Sequence, residues 1–313
     1  MEITSGPNDV QCRVYLDRIS KSVGDLRSTN IDSHLFVLQM VSIGKLLSSL
    51  HKKLDKSYPG IDKNAQDPAY FIAAYFDTAN IGEAILVYRI VRSLTRIILL
   101  FDRFYETGND KYSLLAKQVR ESLNEFLKAE SSVQHLIYSV EYWLTQFSAF
   151  WEFEQTTKHR IMNNSTFSFS EIRHFNLSKS SDASLVYSKV LDAMLPTFNE
   201  NVSLVLHYNQ ALLDIQDDWE DIENDIQVDM PNIFVMAAVS FVPYDKIKQS
   251  SPDMIRKVVL RRTSSSEGTV SKLVREINEL SKDIPVPNSF RFLKSLSSRY
   301  ADTLRRTIFT TNF

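Results

Sequence analysis

A chain of 313 residues that is 43% hydrophobic and 24% charged has ample material for a large buried core, and its formal net charge of -2 gives no general attraction to nucleic acid or an anionic membrane. The single cysteine, Cys12, excludes an intramolecular disulfide framework, and seven glycines are few for the turns and phosphate loops of a β-rich or Rossmann-type protein. These numbers favour an all-α protein. Residues 1–30 are polar and mixed in charge, lack the apolar stretch of a signal peptide, and read as a loosely packed N-terminal segment. Helical periodicity then runs through roughly residues 31–54, 69–105, 111–128, 131–160, 168–194, 198–228, 231–241, 252–261, 269–281 and 287–308. The breaks carry turn chemistry, as in "SYPGIDKNAQDP", "ETGND", "IMNNST" and "PVPNS". Two helix starts have capping-box spacing, Ser168 with Glu171 and Thr197 with Glu200, the second with Pro196 just outside it. With no internal repeat and no long linker, the expectation is one large helical bundle over residues 1–313. The longest apolar runs, "RIILLF" and "NIFVMAAVSFV", fall short of the ~20 residues needed to span a bilayer, so a soluble, reducing, cytoplasmic location is expected.

The most informative stretch is "ALLDIQDDWEDIENDI", residues 211–226, where seven carboxylates share a helix with Leu212, Ile215, Trp219, Ile222 and Ile226. At 100° per residue Asp214, Asp218, Asp221 and Asp225 share one narrow face of the helix, with Asp217 at its edge and the apolar residues on a neighbouring arc. Glu220 and Glu223 point toward solvent. Like charges at helical spacing repel by several tenths of a kcal/mol per pair, about as much as opposite charges attract. No Lys or Arg interrupts the run between Asp214 and Asp229. Such a stripe calls for a cation. Hard divalent ions such as Mg²⁺ take carboxylate oxygens and bridge to substrate phosphates, whereas the His and Cys clusters of zinc sites and the mid-loop glycine of a calcium-binding EF-hand are missing here.

"DDWEDIEND", residues 217–225, resembles the second aspartate-rich motif of trans-isoprenyl diphosphate synthases, and Asp217, Asp221 and Asp225 also match the spacing of the metal triad of class I terpene synthases. The resemblance implies a fold of the class I terpenoid synthase type, in which two facing acidic helices hold three Mg²⁺ ions, or Mn²⁺, against a prenyl diphosphate. It further implies a partner motif upstream, and Asp102 and Glu106 in "IILLFDRFYETGND" are similar to its outer carboxylates, although Phe101 and Arg103 flank Asp102 and only two acids remain. On the same resemblance Arg173 stands near the diphosphate-sensing arginine of terpene synthases. Lys179 resembles the Lys of a prenyltransferase Lys-Thr pair, and Arg299-Tyr300 the Arg-Tyr pair of bacterial terpene synthases. Asp217, Asp218, Asp221, Asp225, Asp102 and Glu106 would then ligate metal, with Asp102, Glu106 and Arg173 acting in catalysis. Arg173, Lys179, Arg299 and Tyr300 would hold the diphosphate, and a homodimer fits the family. No G-K-R-x-R-P segment is present, which argues against chain elongation and toward ionisation or cyclisation of one linear prenyl diphosphate.

An allylic cation would need a water-poor pocket with aromatic faces, for which Trp143, Phe147, Phe150 and Trp151 are candidates, although such a stripe is more often plain core. The arginines 89, 92, 96 and 103 trace one helix face, read as solvated or paired. The stretch "LRRTSSSEGTVSK", residues 260–272, is a flexible connection or a lid whose Arg261 and Arg262 close over an anion. Two other readings remain open: an isoprenyl diphosphate synthase or squalene/phytoene synthase-like prenyltransferase, and a non-catalytic helical protein whose acidic face binds a basic partner. Chain length and product skeleton depend on pocket shape and are not legible in the sequence.

Overall fold

The computed structural model describes residues 81–195, 198–250, 268–287 and 290–309, together with Met254 and Lys257. Every regular element among them is helical, so the protein is all-α there. The predicted helix at 31–54, most of the one at 252–261, and Arg261 and Arg262 lie outside the described residues. No helix among the described residues is long and apolar enough to cross a membrane. By its contacts the chain divides into two compact units, residues 1–139 with 189–196, and residues 140–188 with 197–313.

In the first unit, α1 (Ile81–Thr107) and α2 (Asp110–Ala129) form a helical hairpin. Gly108, at φ 64°, takes the left-handed position that ends α1, and its N–H reaches the Phe104 carbonyl at 2.7 Å. Asn109 then caps α2 by accepting the Lys111 N–H at 3.0 Å. Helix α2 turns Ala116, Val119, Leu123 and Leu127 inward, a single stripe at helical spacing. Helix α1 is different: between Val87 and Leu100 only Arg89, Ser93 and Leu99 are not buried. Of the two readings of its arginines, solvated or paired, the solvated one fails for Arg92 and Arg96, which are only 5% and 2% exposed. Arg89 is exposed and lies over the Phe126 ring at 4.0 Å, and Arg103 pairs with Glu106 at 2.8 Å.

Helices α3 (Leu136–Met162) and α4 (Phe169–Met194) begin and end, respectively, in the first unit and run mostly through the second. Between them Asn164 adopts φ 56° and the Ser165 N–H returns to the Arg160 carbonyl at 2.9 Å, a left-handed helix end. The expected capping box follows. The Ser168 N–H donates to Glu171 Oε2 at 2.8 Å and the Glu171 N–H to Ser168 Oγ at 3.3 Å. The Ser168 N–H and the Ser168 hydroxyl, both donating to Glu171 Oε2 at 2.8 Å, with Arg160 beside them, hold the Glu171 carboxyl down at about 2.

The helix expected over 198–228 is two helices. Asn199 caps α5 (Glu200–Glu220) by accepting the Val202 N–H at 3.1 Å, a role the sequence pattern gave to Thr197, which lies outside the described residues. Asp221, at φ -96° and ψ 5°, separates α5 from α6 (Ile222–Gln227). The backbone ladder bridges the break, with Asp221 N–H on the Asp217 carbonyl at 2.8 Å and Asp225 N–H on the Asp221 carbonyl at 2.9 Å. Asp229, at φ 58°, then ends α6 as Asn164 ends α3.

The apolar α7 (Ile233–Ala238) is buried on every side, and α8 (Tyr244–Lys248) follows it. Helices α9 (Thr269–Asp283) and α10 (Arg291–Leu304) pack on α5, and a π-helical turn (Arg305–Phe309) continues α10. The core of this unit joins Phe175, Leu212, Ile215, Trp219, Phe234, Leu273, Ile277 and Leu304. Ile215 and Trp219 anchor the apolar side of α5 there, so its carboxylates are turned the other way.

Candidate acidic site around Lys179

Helices α4, α5 and α6 and the start of α7 build one polar cluster. Asp218, 2% exposed, receives Lys179 Nζ on Oδ1 at 2.6 Å and the Ile233 N–H on Oδ2 at 2.9 Å. Asn232, fully buried, donates to the Asp218 carbonyl and, at 2.8 Å, to Asp225 Oδ2, while its own oxygen caps α7 through the Phe234 N–H at 3.0 Å. One asparagine thus ties α5 to α6 across the break at Asp221. Asp214 accepts from Gln210 Nε2 at 2.7 Å. Asp217 and Asp221 are exposed beside them.

The electrostatics follow from one ammonium facing a crowd of carboxylates. Burial alone would lower the Lys179 pKa, but the charges of Asp218 and Asp214 outweigh it and hold the ammonium well above its usual range. Burial pushes Asp225 up to about 7 and Asp214 up to about 6, against the lowering pull of their hydrogen bonds and of Lys179. Asp217 is raised in the same sense, by burial and by its neighbours Asp221, Asp218 and Glu220. Each of these carboxylates would gain from a further cation nearby. Gln210, Leu213, Asp214, Gln216, Asp217 and Glu220 line an open hollow on this face of α5.

The remaining candidates lie as follows. Asp102 and Glu106 are on α1 in the first unit, with Glu106 held by Arg103. Arg173 on α4 binds Glu276 of α9 at 2.5 Å. Arg299 and Tyr300 are half-buried on α10, and burial raises the Tyr300 phenol. Trp143, Phe147 and Trp151 are buried, with Phe147 and Trp151 rings 6.2 Å apart, and Phe150 packs on Phe153 and Phe175. These are the contacts of a packed aromatic core. Asp218 and Lys179, grouped in the sequence with metal and diphosphate ligands, are each other's partner in this structure. Asn232 went unread, although an asparagine directly before the apolar "IFVMAA" has the form of a helix cap.

Among the described residues no three His, Cys, Asp or Glu side chains are grouped so as to hold a metal ion by themselves. Mg²⁺ does not require that, since it keeps several waters and takes one or two carboxylates together with substrate phosphates. Exposed Asp217 and Asp221, four residues apart, supply oxygen donors of the right hardness, and Asp225 continues the file. The residues present therefore fit such an ion in donor chemistry. No family model matches the chain, and neither the curated proteins nor the solved structures contain a significant match to it.

Proposed function

We propose that the protein is a class I terpenoid synthase-type enzyme that ionises a linear prenyl diphosphate with Mg²⁺ and releases diphosphate, giving a terpene hydrocarbon or alcohol. The observation that carries this reading is the file Asp217, Asp221 and Asp225, uninterrupted by basic residues and set on two helix pieces, with Asp225 raised by burial. Such a face is electrostatically unfinished and is completed by divalent cation and anionic ligand together. When bound, Mg²⁺ would supply charge neutralisation of the leaving diphosphate.

The chain's own residues have separate tasks. Exposed Asp217 and Asp221 would offer the metal its carboxylate oxygens, with Asp225 next along the file. Arg173, 37% exposed, would exchange Glu276 for a diphosphate oxygen, joined by Arg299 and Tyr300. Lys179 holds Asp218 in place and adds positive charge at the metal-facing wall. No protein nucleophile is needed. Trp143, Phe147, Phe150 and Trp151 would present apolar and aromatic faces to the hydrocarbon.

The test is incubation of the purified chain with geranyl, farnesyl and geranylgeranyl diphosphates and Mg²⁺, followed by mass spectrometry of the products and assay of released diphosphate. Hydrocarbon or alcohol release that is abolished by EDTA supports the reading, and longer prenyl chains formed with isopentenyl diphosphate point to a prenyltransferase instead. If no substrate is consumed and Mg²⁺ does not bind, the acidic face belongs to a binding protein.

A further inference from the structure

The acidic cluster already contains a cation, and it is the chain's own. Lys179 reaches across from α4 and sets Nζ 2.6 Å from Oδ1 of Asp218, a carboxylate that is 2% exposed. The other oxygen of Asp218 takes the Ile233 N–H at 2.9 Å, and Asn232 links the Asp218 carbonyl to Asp225. Lys179 is therefore seated where α5, α6 and α7 meet, at the break that divides the acidic file. Its charge acts on Asp214, Asp217 and Asp225 as well as on Asp218, so one ammonium partly neutralises carboxylates on both sides of that break.

The two partners differ in freedom. Asp218 is enclosed and fixed through both oxygens, whereas the Lys179 side chain is 27% exposed and carries its charge on a flexible four-carbon stem. The ammonium can turn to water without any helix moving. A divalent ion on exposed Asp217 and Asp221 would draw on the same negative charge and repel the ammonium, since like charges with little water between them interact strongly.

We propose that Lys179 is an internal competitor of the divalent cation, its pairing with Asp218 holding the acidic face in a self-neutralised, metal-poor state. This rests on the reading of the acidic file as a divalent-cation site, and it gives Lys179 a role in regulating that site. The antagonism is reciprocal: bound metal loosens Lys179 from Asp218 by the same factor by which Lys179 weakens the metal. An ammonium released from Asp218 is then available to an anionic ligand, so metal and anion favour each other's binding.

The experiment measures Mn²⁺ affinity of the full chain by electron paramagnetic resonance, at fixed ionic strength and at pH 8, above the raised carboxyls of Asp214 and Asp225. Wild type is compared with Lys179→Met, Lys179→Gln and Lys179→Arg. The Met and Gln variants, which lose the charge, are expected to bind Mn²⁺ at least about fivefold more tightly, the lower end of couplings between two ligands. The Arg variant keeps the charge and should stay near wild type. In the wild type, saturating Mg²⁺ should speed acetylation of Lys179 relative to exposed Lys282, read by peptide mass spectrometry. Circular dichroism verifies the fold, and the Gln variant, which keeps a hydrogen-bond donor for Asp218, decides the matter if the Met variant unfolds. Equal or weaker Mn²⁺ binding in the folded neutral variants, or Lys179 acetylation indifferent to Mg²⁺, overturns the proposal. Wild-type Mn²⁺ binding with no gain in those variants removes the competitor role and leaves the metal reading standing, whereas no binding by any of the four proteins removes both.

Discussion

Removing the charge from Asp218 tests whether the Lys179–Asp218 pair holds the acidic wall together. Asp218→Asn keeps the side-chain shape and an oxygen for the Ile233 N–H, but it leaves the Lys179 ammonium without the carboxylate 2.6 Å away. Breaking a buried pair from one side costs about 3–5 kcal/mol. The Lys179 side chain retains 27% exposure and still feels Asp214 and Glu154, which places the loss at the lower end, about 3 kcal/mol. Asp218→Ala also removes the acceptor for Ile233 N–H, a bond to a charged group worth about 1.5–3 kcal/mol, and is expected to lose about 5 kcal/mol in all. Lys179→Met strands the buried carboxylate and should cost about 3 kcal/mol. The double variant Asp218→Asn with Lys179→Met removes both charges and is expected to be less destabilised than the sum of the singles by about 2 kcal/mol or more. Urea unfolding at pH 7, followed by far-UV circular dichroism, measures all four proteins. Single variants that each lose less than about 1 kcal/mol, with additive effects in the double, would refute this account of the pair.

Four further outcomes are expected. Ser168→Ala should lower stability by about 1 kcal/mol by removing the α4 cap. Glu171, whose folded pKa is depressed, should contribute stability that is present above about pH 4.5 and is lost as pH falls toward 2, and Glu171→Gln should flatten that part of the stability–pH curve. The half-exposed setting keeps this contribution under about 1 kcal/mol. Asn164→Gly loses the hydrogen bond from the Tyr244 N–H, but Asn164→Ala also strains a backbone at φ 56°, so the alanine variant should be less stable than the glycine variant by about 1 kcal/mol in thermal unfolding. Asp217→Ala and Asp221→Ala change exposed residues and should leave stability within about 0.5 kcal/mol of wild type. Both should nonetheless weaken Mn²⁺ binding, read by electron paramagnetic resonance, and unchanged binding would remove those residues from the proposed site.

Local signals in the sequence were legible wherever one short segment decides the outcome. Periodicity placed the helices α2 through α4 and α9 to within a few residues, and the Ser168–Glu171 box formed as its spacing predicts. The break at Asp221 was hidden because carboxylates at i and i+4 continue through it, and the cause, Asn232 drawing Asp225 and the Asp218 carbonyl together, lies beyond the helix. The burial of Arg92 and Arg96 was hidden for a related reason. A charge on a helix reads as surface unless the packing of other elements is known, and α1 is enclosed on nearly every side. Lys179 stands out in the sequence by its resemblance to a prenyltransferase lysine, but only the fold reveals that its partner is Asp218.

Tyr244 has a consequence for motion. Its backbone N–H donates to Asn164 Oδ1, and its hydroxyl donates to Asp229 Oδ1 at 2.8 Å, with the Ile226 carbonyl 3.2 Å away. Asn164 and Asp229 are the left-handed ends of α3 and α6, so the five-residue α8 fastens both termini through a single residue. Neither end can fray alone while Tyr244 stays in place, and both lose an anchor when it leaves. The amides of Asn164, Ser165, Asp229 and Met230 should therefore exchange with solvent as one group, making the exit of the acidic helix a cooperative opening.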